Sequence, residues 1–171
     1  RDHLFEWRSV YKNVILGLEI GDMMTGERLS YVNKLLADYG LEEFKDKCPN
    51  ELSGGMKQRA ALIRTLALDP ELLLLDEPFS ALDYQTRLSV SADICSLIRH
   101  TGKTALLITH DLSEAISLAD RVIVLSKRPA TVKCELPIHL TKSDDSPLAA
   151  RNAPEFNGYF NRLWEEMKNE T

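Results

Sequence analysis

The stretch LSGGMKQRAALIRTLALDPELLLLDEPFSALD, residues 52–83, decides the fold of this chain. It opens with a small-residue turn, SGG at residues 53–55, which leads directly into a helical pattern of apolar residues. Pro70 ends that helix, because a proline disfavours the helical conformation in the residue before it. The four leucines at 72–75 then predict a short strand that is buried on both faces.

Two carboxylates, Asp76 and Glu77, follow this strand directly. Open α/β sheets place their ligands at the carboxyl ends of the strands. Further along the chain a helical pattern at 84–99 precedes apolar strand patterns at 104–109 and 121–125. Strands that alternate with helices imply crossover connections, so we predict an α/β fold with a mostly parallel sheet and helices on its faces.

The two ends of the chain have a different pattern from its centre. Before residue 52 the sequence predicts helices at 9–20, 27–39 and 41–47, and no strand. Near the other end, residues 141–147 are polar and predict a linker. A final helix is predicted for 155–169, with most of its aromatic residues on one side, and we expect that side to pack against the domain.

Composition excludes several classes of function. The chain has 171 residues and a net charge of −5, and no cluster of Lys and Arg is long enough to indicate a nucleic-acid-binding surface. No apolar run approaches the length of a membrane span, and no stretch has the pattern of a signal peptide. The three cysteines are far apart and odd in number, which supports neither a disulfide framework nor a metal site and fits a reducing cytosol.

Four sequence motifs occur in one order along the chain, and together they form a specific signal. Residues 52–59 (LSGGMKQR) match a signature motif, residues 72–78 (LLLLDEP) a Walker B strand, residues 80–83 (SALD) a D-loop, and residues 109–111 (THD) a switch histidine. This set resembles the ATP-binding subunit of an ABC transporter, with Met56 where many members have Gln. The resemblance implies a partial P-loop NTPase (RecA-like) three-layer core and an α-helical subdomain.

The resemblance also implies a role for each matched residue. Asp76 would hold Mg²⁺ through water, because Mg²⁺ prefers oxygen ligands and keeps part of its hydration shell. Glu77 would polarise the water that attacks ATP, as a general base. His110 would reach the γ-phosphate. ATP and Mg²⁺ are the expected ligands.

A second set of residues is expected to act on the ATP of an opposite subunit, so that a homodimer becomes part of the chemistry. The residues of this set are those of the signature: Ser53, Gly54, Gly55, Met56, Lys57 and Gln58. The D-loop is a separate stretch, Ser80, Ala81, Leu82 and Asp83, in which Asp83 would couple the two sites. The turn at residues 53–55 precedes a helix, and the unpaired N–H groups and the dipole at the start of a helix favour an anion.

The chain lacks one motif that the resemblance requires, the phosphate-binding loop G-x-x-x-x-G-K-[ST]. The near match at 102–104 (GKT) has Leu97 where a glycine is needed, and it follows a helix instead of a strand. No glutamine precedes Gln58, and residues 1–8 resemble the segment that comes after the Q-loop. We therefore expect a carboxyl-terminal part of a longer subunit, which binds ATP weakly or not at all when alone.

In family terms, the chain divides into a helical subdomain at 1–51, the carboxyl-terminal part of the ATPase core at 52–140, and a linker with the final helix at 141–171. Residues 7–19 and 151–167 are most similar to importers for nitrate, sulfonate, taurine or similar small anions.

The resemblance implies a transmembrane permease bound through the helical subdomain, an indirect solute-binding protein partner, no nucleic acid, and a cytoplasmic location on the inner face of the cell membrane. Two alternatives stay open. The chain could be a non-catalytic interaction fragment or split subunit, or it could be a soluble ABC ATPase without a membrane partner.

Overall fold

The structure is a computed structural model that describes residues 3–168. Its helices are α1 Val10–Val14, α2 Leu16–Ile20, α3 Gly26–Asp38, α4 Gly54–Leu66, α5 Tyr84–Thr101, α6 Leu112–Leu118, α7 Pro147–Arg151 and α8 Phe156–Lys168. Its strands are β1 Leu72–Asp76, β2 Thr104–Ile108, β3 Arg121–Leu125 and β4 Val132–Pro137, and single 3-10 turns lie at Glu42–Phe44 and Pro49–Glu51.

The chain divides into two compact units. The first contains the residues up to Leu74 together with Pro78–Leu106, and the second contains Leu75–Glu77 and the residues from Leu107 onwards. The first unit therefore holds α1 to α5, and the second holds the carboxyl ends of β1 and β2 with β3, β4 and α6 to α8. The three segments that the sequence suggests, 1–51, 52–140 and 141–171, stay a prediction.

Side-chain caps begin the helices where the sequence predicts them. The hydroxyl of Ser9 accepts the Lys12 N–H at 3.3 Å, and the carboxylate of Asp83 accepts the Thr86 N–H at 3.0 Å. Gly102 ends α5 with a positive φ of 64°, which glycine adopts without steric cost. Within the described residues the main helices are confirmed, with two changes: 9–20 divides into two short helices, and 41–47 forms one 3-10 turn. Residue 169, the predicted end of the last helix, lies outside the described residues.

The first unit is a helical core built around α4. This helix packs against α1, α2, α3 and α5. The apolar stripes that periodicity predicts are buried: Val10, Val14 and Leu18 of the first two helices, Val32, Leu35 and Leu36 of α3, and Leu62, Ile63 and Leu66 of α4. Periodic spacing at three and four residues is therefore a reliable guide to the core of this unit.

The prediction that residues 72–75 are buried on both faces is wrong. Leu73 is fully buried, but Leu72 is 51% exposed and Leu74 is 69% exposed. The same holds for β2, where Leu106 and Ile108 are exposed. Alternate residues of a strand point to opposite faces, and within residues 3–168 the second face of these strands is open.

β1 pairs with β2 after a crossover through α5, as in the parallel unit of an α/β fold. β3 and β4 form a separate antiparallel pair, in which Val122 lies opposite Leu136 and Ile123 opposite Glu135.

The second unit has its own apolar cluster. The buried members are Ile116, Val124, Leu136, Ile138, Phe156 and Leu163, and Tyr159 and Phe160 pack against them. The sequence predicts that Trp164 and Met167 also lie on the packed side of α8, which is wrong, because Trp164 is 49% exposed and Met167 is 43% exposed. A one-turn helix, α7, also follows the predicted linker, and Ser146 caps it.

Among residues 3–168, no helix is long and apolar enough to cross a membrane.

Candidate functional site

The strand ends of the second unit carry the first group of predicted site residues. The backbone N–H of Glu77, directly after β1, donates to the carbonyl of Ile108 at the end of β2, at 2.9 Å. Glu77 has a positive φ of 46°, a conformation that is uncommon for a residue with a Cβ. Such strained positions cluster at functional sites, and here the turn places Glu77 beside the carboxyl end of the neighbouring strand.

Glu77 and His110 meet at this edge. The Oε1 atom of Glu77 lies 2.6 Å from Nδ1 of His110. The imidazole is 77% exposed and the carboxylate 34% exposed, so both groups can be reached from solvent. The hydrogen bond and the charge of Glu77 raise the pKa of His110 above its usual value, and Glu114 and Asp111 add to the effect. The imidazolium is therefore the favoured form at a higher pH than in a free histidine.

Asp76 is exposed at the same strand end, as a ligand of a nucleotide-bound metal requires. Within residues 3–168 there is no group of three His, Cys, Asp or Glu side chains that could hold a metal ion by itself. The exposed carboxylate of Asp76 fits Mg²⁺, which proteins bind with one or two carboxylates while phosphate and water supply the other ligands. A single carboxylate does not fit a metal that is held by protein groups alone.

The signature turn lies in the first unit, at the start of α4. The hydroxyl of Ser53 accepts the N–H of Met56 at 3.3 Å and caps the helix. A Cβ added to Gly54 would lie 3.4 Å from Cδ2 of Leu82, so the turn is next to the D-loop. A Cβ added to Gly55 would lie 2.8 Å from Cγ2 of Val90. The second glycine is thus required by the close packing of α4 against α5.

The other signature residues, Met56, Lys57 and Gln58, are half-buried on the first turn of α4. The ammonium of Lys57 lies 4.0 Å from the carboxylate of Glu6. In the D-loop Ser80, Ala81 and Asp83 are exposed and Leu82 is half-buried. The cap bonds that Asp83 accepts from Thr86 lower the pKa of its carboxyl group.

We expect Gly55→Ala to lower the free energy of unfolding by about 1–3 kcal/mol, because the added methyl would overlap the stiff side chain of Val90. Gly54→Ala is the matched control, since its methyl meets Leu82 at an ordinary distance. Urea unfolding followed by circular dichroism measures both. Equal free energies of unfolding for the two variants would show that α4 and α5 pack less closely at Gly55 than they do in the structure.

Comparison with known proteins shows which proteins this chain resembles. The sequence model described as "ABC transporter" matches residues 1–80. An uncharacterized ABC transporter ATP-binding protein of Bacillus subtilis, YtlC, is 45% identical over 167 residues, which are 98% of this chain and 64% of that protein. The chain is thus similar to ABC transporter ATP-binding proteins over almost its whole length.

Named importer subunits are also among the proteins to which this chain is similar. The nitrate import ATP-binding protein NrtD of Synechocystis is 40% identical, over 94% of this chain and 62% of that protein. The taurine import ATP-binding protein TauB of Roseobacter denitrificans is also 40% identical, over 95% of this chain and 63% of that protein. The chain thus spans less than two thirds of the length of these relatives.

A solved ABC transporter structure has the same fold. It is cbiO1 of Clostridium perfringens, part of the ABC transporter complex cbiONQ. The TM-score is 0.66 at 28% identity, over 78% of this chain and 52% of that one. The predicted α/β fold class, a partial P-loop NTPase core, is confirmed.

Two further positions, to which the sequence analysis assigns no role, lie at this candidate site. Thr109 and Glu114 contact each other beside His110. A signal for one of them was present, because Asp111 and Glu114 have the spacing of a helix cap followed three residues later by Glu. Asp111 does cap α6, accepting the N–H groups of Ser113 and Glu114.

Proposed function

We propose that this chain supplies catalytic and signature residues to the ATP-binding subunit of an ABC-type importer for a small anion. The observation that carries the proposal is the pair of Glu77 and His110, 2.6 Å apart at adjacent strand ends. ATP hydrolysis is largely positioning and charge stabilisation around the γ-phosphate. A solvent-accessible carboxylate with a fixed cationic or hydrogen-bonding partner is suited to that task.

Each matched residue takes a part in this proposal. Glu77 orients the attacking water and accepts its proton, and His110 holds the Glu77 carboxylate and faces the γ-phosphate. Asp76 contributes to the Mg²⁺ shell through water. Mg²⁺ would neutralise charge on the phosphate oxygens.

The signature turn, with the N–H groups at the start of α4, is assigned to the phosphate of a second subunit. Asp83 couples the two sites of the homodimer through the D-loop. The capping bonds of Ser53 and Asp83 support this assignment because they fix both loops next to the helices α4 and α5.

The helical subdomain at 1–51 is assigned to the permease. It exposes large apolar side chains, with Trp7 at 77% and Ile20 at 78%, and Phe5 packs beside Trp7 with ring centres 5.5 Å apart. Exposed apolar side chains that contact each other, as Phe5 and Trp7 do, are typical of interaction surfaces. The subunit would then lie in the cytoplasm, on the inner face of the membrane, and a solute-binding protein would act through the permease.

The solute is proposed from relatives named for nitrate and taurine import. Nitrate, sulfonates and taurine share a small anionic group, so the proposal is a small anion of this class. Substrate choice itself would lie in the partner proteins.

We expect the 171-residue chain alone to bind ATP weakly or not at all, because its sequence contains no phosphate-binding loop for the β- and γ-phosphates. The test is a calorimetric titration with ATP and Mg²⁺, on the chain and on Glu77→Gln, which prevents turnover from obscuring the binding heat. Stoichiometric, Mg²⁺-dependent binding at micromolar affinity would contradict the expectation. Binding that appears only after a segment with the phosphate-binding loop is added in trans would support the split catalytic subunit over a non-catalytic fragment.

A further inference from the structure

A buried carboxylate lies beside the candidate switch histidine. Glu114, in the first turn of α6, is only 5% exposed. Its Oε2 accepts a hydrogen bond from the hydroxyl of Thr109 at 2.8 Å. A charged group is rarely buried unless it is hydrogen-bonded, so this contact has a specific structural role.

The Thr109 hydroxyl makes a second bond at the same time. It accepts the backbone N–H of Asp111 at 3.0 Å. The carboxylate of Asp111 in turn accepts the N–H of Glu114 at 3.2 Å, which begins α6. These three bonds link Thr109, Asp111 and Glu114 into a closed ring, and His110 is the one residue between the first two.

We propose that Thr109 and Glu114 are positioning residues that hold His110 in place against Glu77, a proposal that rests on the proposed ATPase function. The imidazole of His110 is 77% exposed, so packing contributes little to its orientation. Its place is set by the backbone on either side. A hydrogen bond of 2.6 Å to Glu77 is directional and is lost when the donor tilts.

A hydroxyl is the one group that completes this ring. It donates to the carboxylate of Glu114 and accepts from the amide of Asp111 with one oxygen atom. Valine has the shape of threonine and neither of these abilities, whereas serine keeps both. This difference separates a role in hydrogen bonding from a role in packing.

The acidic groups around the imidazole give the closed ring of hydrogen bonds an electrostatic role as well as a geometric one. Glu77 faces His110 from the end of β1, Glu114 from α6, and Asp111 is the neighbouring residue. All three favour the protonated imidazole. Fixing the buried carboxylate of Glu114 through Thr109 therefore keeps both the position and the charge of the histidine constant.

The experiment uses nuclear magnetic resonance on the 171-residue chain without nucleotide. We expect Thr109→Val to speed hydrogen exchange of the Asp111 amide about tenfold, the effect of losing one net hydrogen bond. The ring resonances of His110 should shift in the same variant. Thr109→Ser should leave the exchange rate of the Asp111 amide within about twofold of its rate in the unmodified chain, and the imidazole resonances of His110 unshifted.

Two outcomes would overturn the proposal: an Asp111 amide that exchanges at the same rate in Thr109→Val, or a Thr109→Ser variant that behaves like Thr109→Val. If Thr109→Val does not fold, Thr109→Ala is compared with Thr109→Ser by the same two measurements. Glu77→Gln separates this proposal from the ATPase function. It removes the catalytic carboxylate and should leave the Asp111 amide protected, so the ring can be tested whether or not ATP is hydrolysed.

Discussion

Replacing Glu77 by Gln should lower ATP hydrolysis about 10²–10⁴-fold, the usual contribution of a positioned general base. The measurement is made on the chain complemented in trans by a segment that carries the phosphate-binding loop. Gln has the same shape and keeps an oxygen near Nδ1 of His110, but it cannot take a proton from water. Binding of ATP should stay within a few fold, because the change removes no phosphate ligand of the proposed site.

The matched control is Glu71→Gln, the same chemical change at an exposed residue before β1. We expect hydrolysis by that variant to equal that of the unmodified chain. If Glu77→Gln hydrolyses ATP at the full rate in the complemented protein, the proposed catalytic role of Glu77 is contradicted. Absent hydrolysis in every variant, together with tight ATP binding, would favour the non-catalytic interaction fragment.

Asn13→Asp should lower the free energy of unfolding by about 3 kcal/mol or more. Asn13 is fully buried in α1, and its Nδ2 donates to the carbonyls of Phe5, Arg8 and Ser9, each at 3.0 Å. Its Oδ1 accepts the N–H of Phe5 at 2.7 Å. An aspartate would direct a second oxygen at the carbonyl oxygens, so three acceptors would lose their donor and a charge would be buried.

The effect should depend on pH in one direction. Burial against carbonyls would raise the pKa of the new carboxyl group in the folded state above its unfolded value of about 3.9. The folded state then binds more protons than the unfolded state, so the loss of stability grows as the pH rises above that value. The difference between variant and unmodified chain should be smaller at pH 4 than at pH 7.

Urea unfolding by circular dichroism at both pH values measures this difference. Asn33→Asp is the control, because it makes the same change at an exposed position of α3 and should alter stability by no more than about 0.5 kcal/mol. Equal effects at the two positions would mean that the network around Asn13 does not hold the opening segment. Because that segment carries Phe5 and Trp7, the same variant should weaken any binding of a permease to the helical subdomain.

Much of this architecture could be predicted because its causes are local. The helices begin at Ser9, Ser53 and Asp83, where a side chain accepts an N–H three residues ahead. Their buried faces follow from apolar residues at a spacing of three and four. The family motifs are likewise continuous stretches of sequence, and for that reason the amino-acid sequence alone indicates the ABC transporter family.

Other features were not predictable, because they join residues that are distant in sequence. Glu77 and His110 are 33 positions apart, and their contact needs the strand pairing that brings the Glu77 amide to Ile108. The exposure of Leu74 could not be predicted either, because the sequence pattern shows which residues are apolar but not which other residues cover them.

The sequence by itself thus determined the fold class, the helix starts and the identity of the candidate catalytic residues. Only the tertiary structure decided that Glu77 meets His110 and which apolar side chains of β1 and β2 stay exposed. The physical reason is the range of the interactions. Caps and periodic faces are fixed within a few residues of chain, whereas a hydrogen bond between strand ends exists only after the strands have paired.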